Sequence, residues 1–350
     1  MYESFYGLSE KPFNLTPDPD FLFLSASHKK ALAYLKYGIE TKEGFIQLSG
    51  EIGSGKTTIL RSLLRELERD VRAAYIVNPR GTFRQILRTV LDQLNVVPFR
   101  LDYSKERLLD KFHEFLKSQE ALNHPVVLIF DEAQNLDVTT LEELRMLSNY
   151  ETEKEKLVQI ILVGQPELRE KLDRPELAQL RQRISVRCHL GPLTREETEA
   201  YIQHRLRVAG SNGSVQFTPD AYDTIQTASR GIPRLINIAC NNLLLAGYVE
   251  EKRAFSGEMA SRVIREMQAD DGRGPAESFD SSASVTEPSE EPADLQPAVP
   301  PTPAVEPSTR RHFWRRGTLW AAAISGILLL AALATAIIHY WDRIKTHVQN

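Results

Sequence analysis

The octapeptide Gly50-Glu51-Ile52-Gly53-Ser54-Gly55-Lys56-Thr57 constrains this chain more than any other feature. It follows the apolar run Phe45-Ile46-Gln47-Leu48-Ser49 and precedes a helical pattern over Thr58 to Asp70. A strand, a glycine-rich turn and a helix, in that order, let backbone N–H groups converge on an anion at the partially positive end of the helix. The pattern predicts a phosphate-binding loop in which residues from Gly50 through Thr58 cradle a nucleoside triphosphate. Lys56 would reach the β- and γ-phosphates and Thr57 would ligate Mg²⁺. The expected ligands are therefore ATP and Mg²⁺.

Such a loop needs a sheet behind it. Short β-rich runs at Phe45–Ser49, Ala73–Val77, Val126–Phe130, Val158–Val163 and Ile184–His189 alternate with helical stretches. That alternation predicts an α/β fold with a parallel sheet covered on both faces. From Thr194 to about Gln268 the pattern turns to helices alone. The first begins on a capping-box pair, Thr194 and Glu197, and two more helices are expected after it. The expected division is a P-loop core over residues 1–190 and a helical lid over 191–269.

A second chemical signature lies in the run Val126-Val127-Leu128-Ile129-Phe130-Asp131-Glu132. A buried parallel strand carries Asp131 to the carboxyl edge of the sheet, where Mg²⁺ needs a carboxylate. Glu132, one residue on, is placed to orient and polarise an attacking water, which points to hydrolysis. The strand LVQIILVG ends at Gln165, a polar side chain suited to contact the γ-phosphate or that water. Arg181 and Arg183 precede the fifth strand and are candidates for a guanidinium finger reaching a neighbouring subunit's nucleotide. Arg234, in Gly231-Ile232-Pro233-Arg234, opens a lid helix after a forced turn and is suited to report the γ-phosphate to the lid.

Composition limits the partners. Residues 1–269 carry 36 Lys and Arg against 37 Asp and Glu, so no general polyanion affinity is expected and nucleic acid is not an expected partner. Cys188 and Cys240 have no CxxC spacing and no neighbouring His at ligand spacing; they are expected to be buried structural thiols of a reducing compartment. The start, MYESFYGLSEKPF, lacks the basic and apolar regions of a secretory signal.

Beyond residue 269 the composition changes. Residues 270–309 contain eight prolines and nine acids but only one base, Arg273, and are expected to be a disordered linker. A basic segment, 310–318, holds Arg310, Arg311, Arg315 and Arg316. The uncharged run from Leu319 to Ile338, at ~1.5 Å per residue, spans about 30 Å and predicts a transmembrane helix over 319–340. Trp314, Trp320, Tyr340 and Trp341 flank it as interfacial aromatics. The four arginines ahead of it outnumber Arg343 and Lys345 behind, so the N-terminal bulk is expected in the cytoplasm and the tail 341–350 outside.

Together these residues resemble the general secretion pathway protein A family of AAA ATPases. The likeness covers roughly residues 1–268: the opening FYGLSEKPFNLTPDPDFLFLSASHKKALAYLKYGI, then GEIGSGKTT, LIFDEAQNL, ILVGQPEL, LRQRI and GIPR. The resemblance implies a sheet of order 5-1-4-3-2, Gln165 and Arg234 as first and second sensors, and arginine fingers near Arg181 and Arg183. It also implies ring-like self-association and service to an envelope export system of type II secretion, pilus or exopolysaccharide type at the inner membrane. Secretion-type members carry a peptidoglycan-binding domain beyond the membrane helix, whereas here HYWDRIKTHVQN follows the span. Two other classes stay open: a DNA-bound ATPase resembling transposition helpers, and a nucleotide-gated membrane scaffold with little turnover.

Overall fold

The hydrophobic runs segregate into two faces of a sheet and one separate helical core. The structure, a computed structural model, describes residues 2–270 apart from 68–69, 99–101 and 154. Apart from Asp270, the expected linker lies outside the described residues. So do the basic segment 310–318, the membrane span 319–340 and the tail 341–350. Among the described residues no helix is long and apolar enough to cross a membrane.

A short helix α1 (Tyr2–Tyr6) and a longer α2 (Ala26–Glu40) precede β1 (Phe45–Gly50) and α3 (Lys56–Glu66). Next come β2 (Arg72–Val77), α4 (Phe83–Gln93), α5 (Lys105–Ala121), β3 (Val126–Asp131) and α6 (Val138–Leu147). The sheet domain is completed by β4 (Gln159–Gly164), α7 (Pro166–Leu172), α8 (Ala178–Arg183) and β5 (Ile184–Leu190). The strands are parallel, in the order β2-β3-β4-β1-β5, which is the expected 5-1-4-3-2 read from the other edge. The helix after the loop stops at Glu66, four residues short of the expected Asp70.

Side chains alternate across a strand, so one set of residues packs under α4, α5 and α6 and the other under α2 and α3. Phe45, Leu128, Phe130, Ile160 and Leu162 face Leu87, Phe112 and Leu144. Ile46, Leu48, Val127, Ile129, Ile161 and Val163 face Leu35, Ile59, Leu60 and Leu63. Central strands β1, β3 and β4 are buried on both faces, which is why their sequences read as largely apolar runs, broken only by buried polar residues such as Gln47, Ser49 and Gln159.

The third core belongs to the lid: α9 (Arg195–Val208), α10 (Pro219–Ser229), α11 (Pro233–Val249) and α12 (Gly257–Asp270). Thr194 and Glu197 form the expected capping box. Three helices follow α9 where two were expected, and the lid is not purely helical, because β6 (Gln216–Phe217) pairs in parallel with β7 (Ala254–Phe255). Two-residue strands leave no periodic signal in a sequence. The start of the chain packs here too. Tyr2, Tyr6, Phe13 and Phe21 lie in the lid core, and Tyr6 Oη donates to Leu244 O at 2.9 Å and to Lys252 O at 3.1 Å. The chain thus crosses the lid before building the sheet.

Candidate functional site

β1 delivers Gly50 to the carboxyl edge of the sheet, and the chain turns through residues 51–55 into α3. Gly55, at φ +99°, precedes the helix with no side-chain cap, so the first N–H groups of α3 are left for an anion. Gly53, at φ +81°, is the other left-handed residue of the turn, and a Cβ there would lie 2.3 Å from Arg234 Cβ. Lys56 is buried and its Nζ donates to Gly50 O at 2.8 Å and Glu51 O at 2.9 Å. Burial pulls its basicity down, against the opposing pull of Glu132 and Asp131.

Asp131 ends β3 with both carboxylate oxygens hydrogen-bonded. Its Oδ2 accepts from Thr57 Oγ1 at 3.1 Å and from Tyr75 Oη at 2.7 Å, and its Oδ1 from Glu132 N–H at 3.0 Å. Burial and the Asp131 hydrogen bond push the Tyr75 phenol well up, so it stays a donor. Glu132 holds φ +58° and ψ 40°, a left-handed conformation uncommon for a residue with a side chain. Its Oε2 accepts from Gln165 Nε2 at 2.9 Å and from Gln134 Nε2 at 2.5 Å, and Gln134 Oε1 in turn accepts from Gln165 N–H at 3.2 Å. The ends of β3 and β4 are thereby joined across Glu132.

Arg234, second residue of α11, approaches from the lid, its backbone N–H donating to Gly53 O at 3.2 Å. The two arginines ahead of β5 have separate fates. Arg183 Nη1 donates to Arg145 O at 3.1 Å, Ser148 Oγ at 2.7 Å and Asn149 Oδ1 at 2.6 Å, which commits it to the carboxyl end of α6. Arg181 meets Asp173 at 3.4 Å with both side chains about half exposed. Among the described residues neither arginine contacts Lys56, Asp131, Glu132, Gln165 or Arg234.

Between the loop and the lid lies a cleft of about 230 Å³. Its outer wall is the N-terminal segment, with Leu15, Phe21, Leu22 and Phe23, and its lid side carries Tyr201, Arg205 and Asn237. Arg205 anchors that wall: it donates to Pro12 O at 2.5 Å and Asn14 O at 3.3 Å, and its guanidinium sits 4.7 Å over the Phe21 ring. Apolar walls beside a polar turn suit a flat heteroaromatic base with a phosphate chain. The sequence reading missed this wall, and with it Tyr75, Gln134 and Arg205. The turn-forming NLTPDPD before Phe21 was the one available signal, because Arg205 meets Pro12 across 193 positions of chain.

The donor set fits a nucleotide with Mg²⁺. Buried Ser54 Oγ in the loop has no hydrogen-bond partner, and Thr57 and Asp131 already point at one another. Among the described residues no group of three His, Cys, Asp or Glu side chains forms a metal cage. Mg²⁺ bound through one or two protein oxygens, phosphates and water needs none.

Comparison with known proteins agrees with this geometry. Residues 39–172 match the AAA domain family. Over 248 residues, 71% of this chain and 45% of the relative, the sequence is 44% identical to general secretion pathway protein A of Aeromonas hydrophila. The chain thus spans about half the length of the curated relative it matches. Its fold is similar to that of the Aeropyrum pernix ORC2 protein solved in ADPNP–ADP complexes, with a TM-score of 0.55 and 18% identity over 74% of this chain and 72% of that one. Cdc6p from Pyrobaculum aerophilum gives a TM-score of 0.55 and 19% identity over 77% and 70%. At those identities the likeness is one of fold.

Proposed function

Since this chain belongs to the general secretion pathway protein A family of AAA ATPases, we propose that it binds ATP with Mg²⁺ and hydrolyses it to ADP and phosphate. The observation that carries the reading is the meeting, at one edge of the sheet, of Lys56 in the loop, the Thr57–Asp131 pair and the Glu132–Gln165 pair. In this proposal the loop N–H groups and Lys56 bind the phosphates, Gln165 and Glu132 orient the attacking water, and Arg234 carries the state of the γ-phosphate to the lid. Thr57 and Asp131 would hold Mg²⁺, which neutralises charge on the phosphate oxygens. The Asn14–Phe23 wall and Tyr201 would enclose the base.

Expected results for the full chain are ATP binding and phosphate release, with Glu132→Gln binding ATP but turning it over about 10²–10³-fold more slowly. Lys56→Ala should lose both. Undiminished phosphate release by Glu132→Gln would remove Glu132 from its role.

The proposal extends to the setting. The charge-free run at 319–338 behind four arginines supports a single-pass inner-membrane anchor with the ATPase in the cytoplasm on a linker of about 40 residues. Kinship with a secretion protein supports work on an envelope export system, by a ring-like oligomer in which Arg181 reaches the neighbouring subunit's nucleotide. Arg181 is favoured over Arg183 because its ion pair with Asp173 is about half exposed to solvent and easily exchanged. Trapping Glu132→Gln with ATP in native membranes should copurify export components; recovery of DNA-bound partners instead would overturn this setting.

A further inference from the structure

A loop can turn its N–H groups toward an anion only if the carbonyls of the same peptides face away, and a buried carbonyl needs a donor on that far side. Two consecutive carbonyls of this loop have such donors, each from a distant part of the chain. Gly53 O is met by Arg234 N–H from the lid. Ser54 O is met at 3.0 Å by Nε2 of His28, a residue of the first turn of α2 that is only 4% exposed.

The tautomer follows from the partners. A carbonyl only accepts, so Nε2 carries the proton, and Nδ1 then accepts the hydroxyl hydrogen of Ser25, whose Oγ lies 2.6 Å away. The ring is wedged against the loop: a Cβ on Gly55 would lie 2.9 Å from Nε2, so this approach requires glycine there. Its mounting is tied to the lid as well, since Ala26 N–H donates to Glu197 Oε1 at 2.9 Å, from the first turn of α9. Burial lowers the basicity of His28 and keeps the ring neutral.

We infer that His28 is a positioning residue for the phosphate loop. Its Nε2–H holds the Ser54 carbonyl outward, and across the planar trans peptide this turns the Gly55 N–H inward, toward a phosphate of a nucleoside di- or triphosphate. The inference rests on the nucleotide reading above. With Arg234 N–H on the preceding carbonyl, the loop is gripped from two sides, by α2 and by the lid. Lid position and phosphate-site geometry are coupled through backbone carbonyls as well as through the Arg234 side chain.

The test titrates a fluorescent ADP analogue, and adenosine in competition, into the full-length wild type, His28→Ala, His28→Gln and Lys56→Ala. It adds histidine-selective ¹⁵N spectra of the wild type. Losing one neutral hydrogen bond should weaken ADP about three- to tenfold in His28→Ala. His28→Gln, whose amide nitrogen can take the place of Nε2, should stay within about twofold of wild type. Adenosine, with no phosphate, should be unaffected, and His28 should titrate out of a single Nε2–H tautomer. An Nδ1–H tautomer overturns the inference, as does ADP binding unchanged in His28→Ala or weakened no more than adenosine. Should His28→Ala fail to fold, the tautomer and His28→Gln decide. Failure of the wild type to bind ADP, or equal binding by Lys56→Ala, would instead sink the nucleotide reading, while the tautomer still tests the grip.

Discussion

Replacing Gly53 with alanine introduces one methyl group at the point where the loop and the lid touch. At φ +81° an L-residue is strained by about 1–2 kcal/mol. The new Cβ would also lie 2.3 Å from Arg234 Cβ, with Cδ and Cγ of Arg234 at 3.1 and 3.3 Å. Neither Cβ can swing away by changing rotamer, since each is fixed to its backbone. The start of α11 must therefore retreat by about 1 Å, at an overpacking cost of about 1–3 kcal/mol, and the Arg234 N–H to Gly53 O bond stretches. The expected total is about 2–5 kcal/mol. A double-mutant cycle separates the two parts, because Arg234→Gly removes the clashing atoms and leaves only the strain. Urea unfolding of the four proteins should give a coupling energy of about 1–3 kcal/mol, with Gly53→Ala less harmful in the Arg234→Gly background. Additive effects within about 0.5 kcal/mol would refute the claim that loop and lid are in steric contact.

Arg183→Ala removes three hydrogen bonds from the carboxyl end of α6 and should destabilise the protein by about 1.5–3 kcal/mol in urea, while Arg181→Ala, losing one exposed pair, should stay within about 1 kcal/mol. The opposite ranking would show that Arg183 is not a structural cap. His28 has a lowered folded-state basicity, so below pH 6.5 the unfolded chain takes up a proton that the folded chain refuses. Its contribution is therefore fully present above pH 6.5 and declines as pH falls toward the lowered folded value, at up to about 1.4 kcal/mol per pH unit. Thermal unfolding followed from pH 7.5 to 5.5 should lose part of its slope in His28→Gln, and an unchanged slope would contradict the assignment. Burial pushes the Cys188 thiol up to about 11 and that of Cys240 higher still. Iodoacetamide at pH 8 should label neither thiol in the folded protein and both in urea; rapid labelling of folded protein would contradict their burial.

How much of this was legible in advance depended on how far apart in the chain the cooperating residues lie. The five strands were readable because β1, β3 and β4, buried on both faces, are largely apolar and the edge strands β2 and β5 bury alternate positions, and the predicted runs agree with the observed strands to within one residue at each end. The capping box at Thr194 was readable because both partners lie within one helical turn. The lid was read less well: β6 and β7 are too short for periodicity, and nothing local says that Tyr6 will settle beside Phe255.

The sequence by itself determined the phosphate loop and the strand that ends in Asp131 and Glu132. Each is a local pattern whose chemistry follows from residue type and spacing along a few turns of chain. Only the tertiary structure decided what surrounds them: Tyr75 on Asp131, Gln134 beside Gln165 on Glu132, Arg183 turned to α6, and His28 on the Ser54 carbonyl. These unions join groups 2 to 56 residues apart, set by how helices pack over a twisted sheet. No period of 2 or 3.6 encodes them, because the hydrophobic pattern specifies which face is buried and leaves open which polar atom it brings into reach.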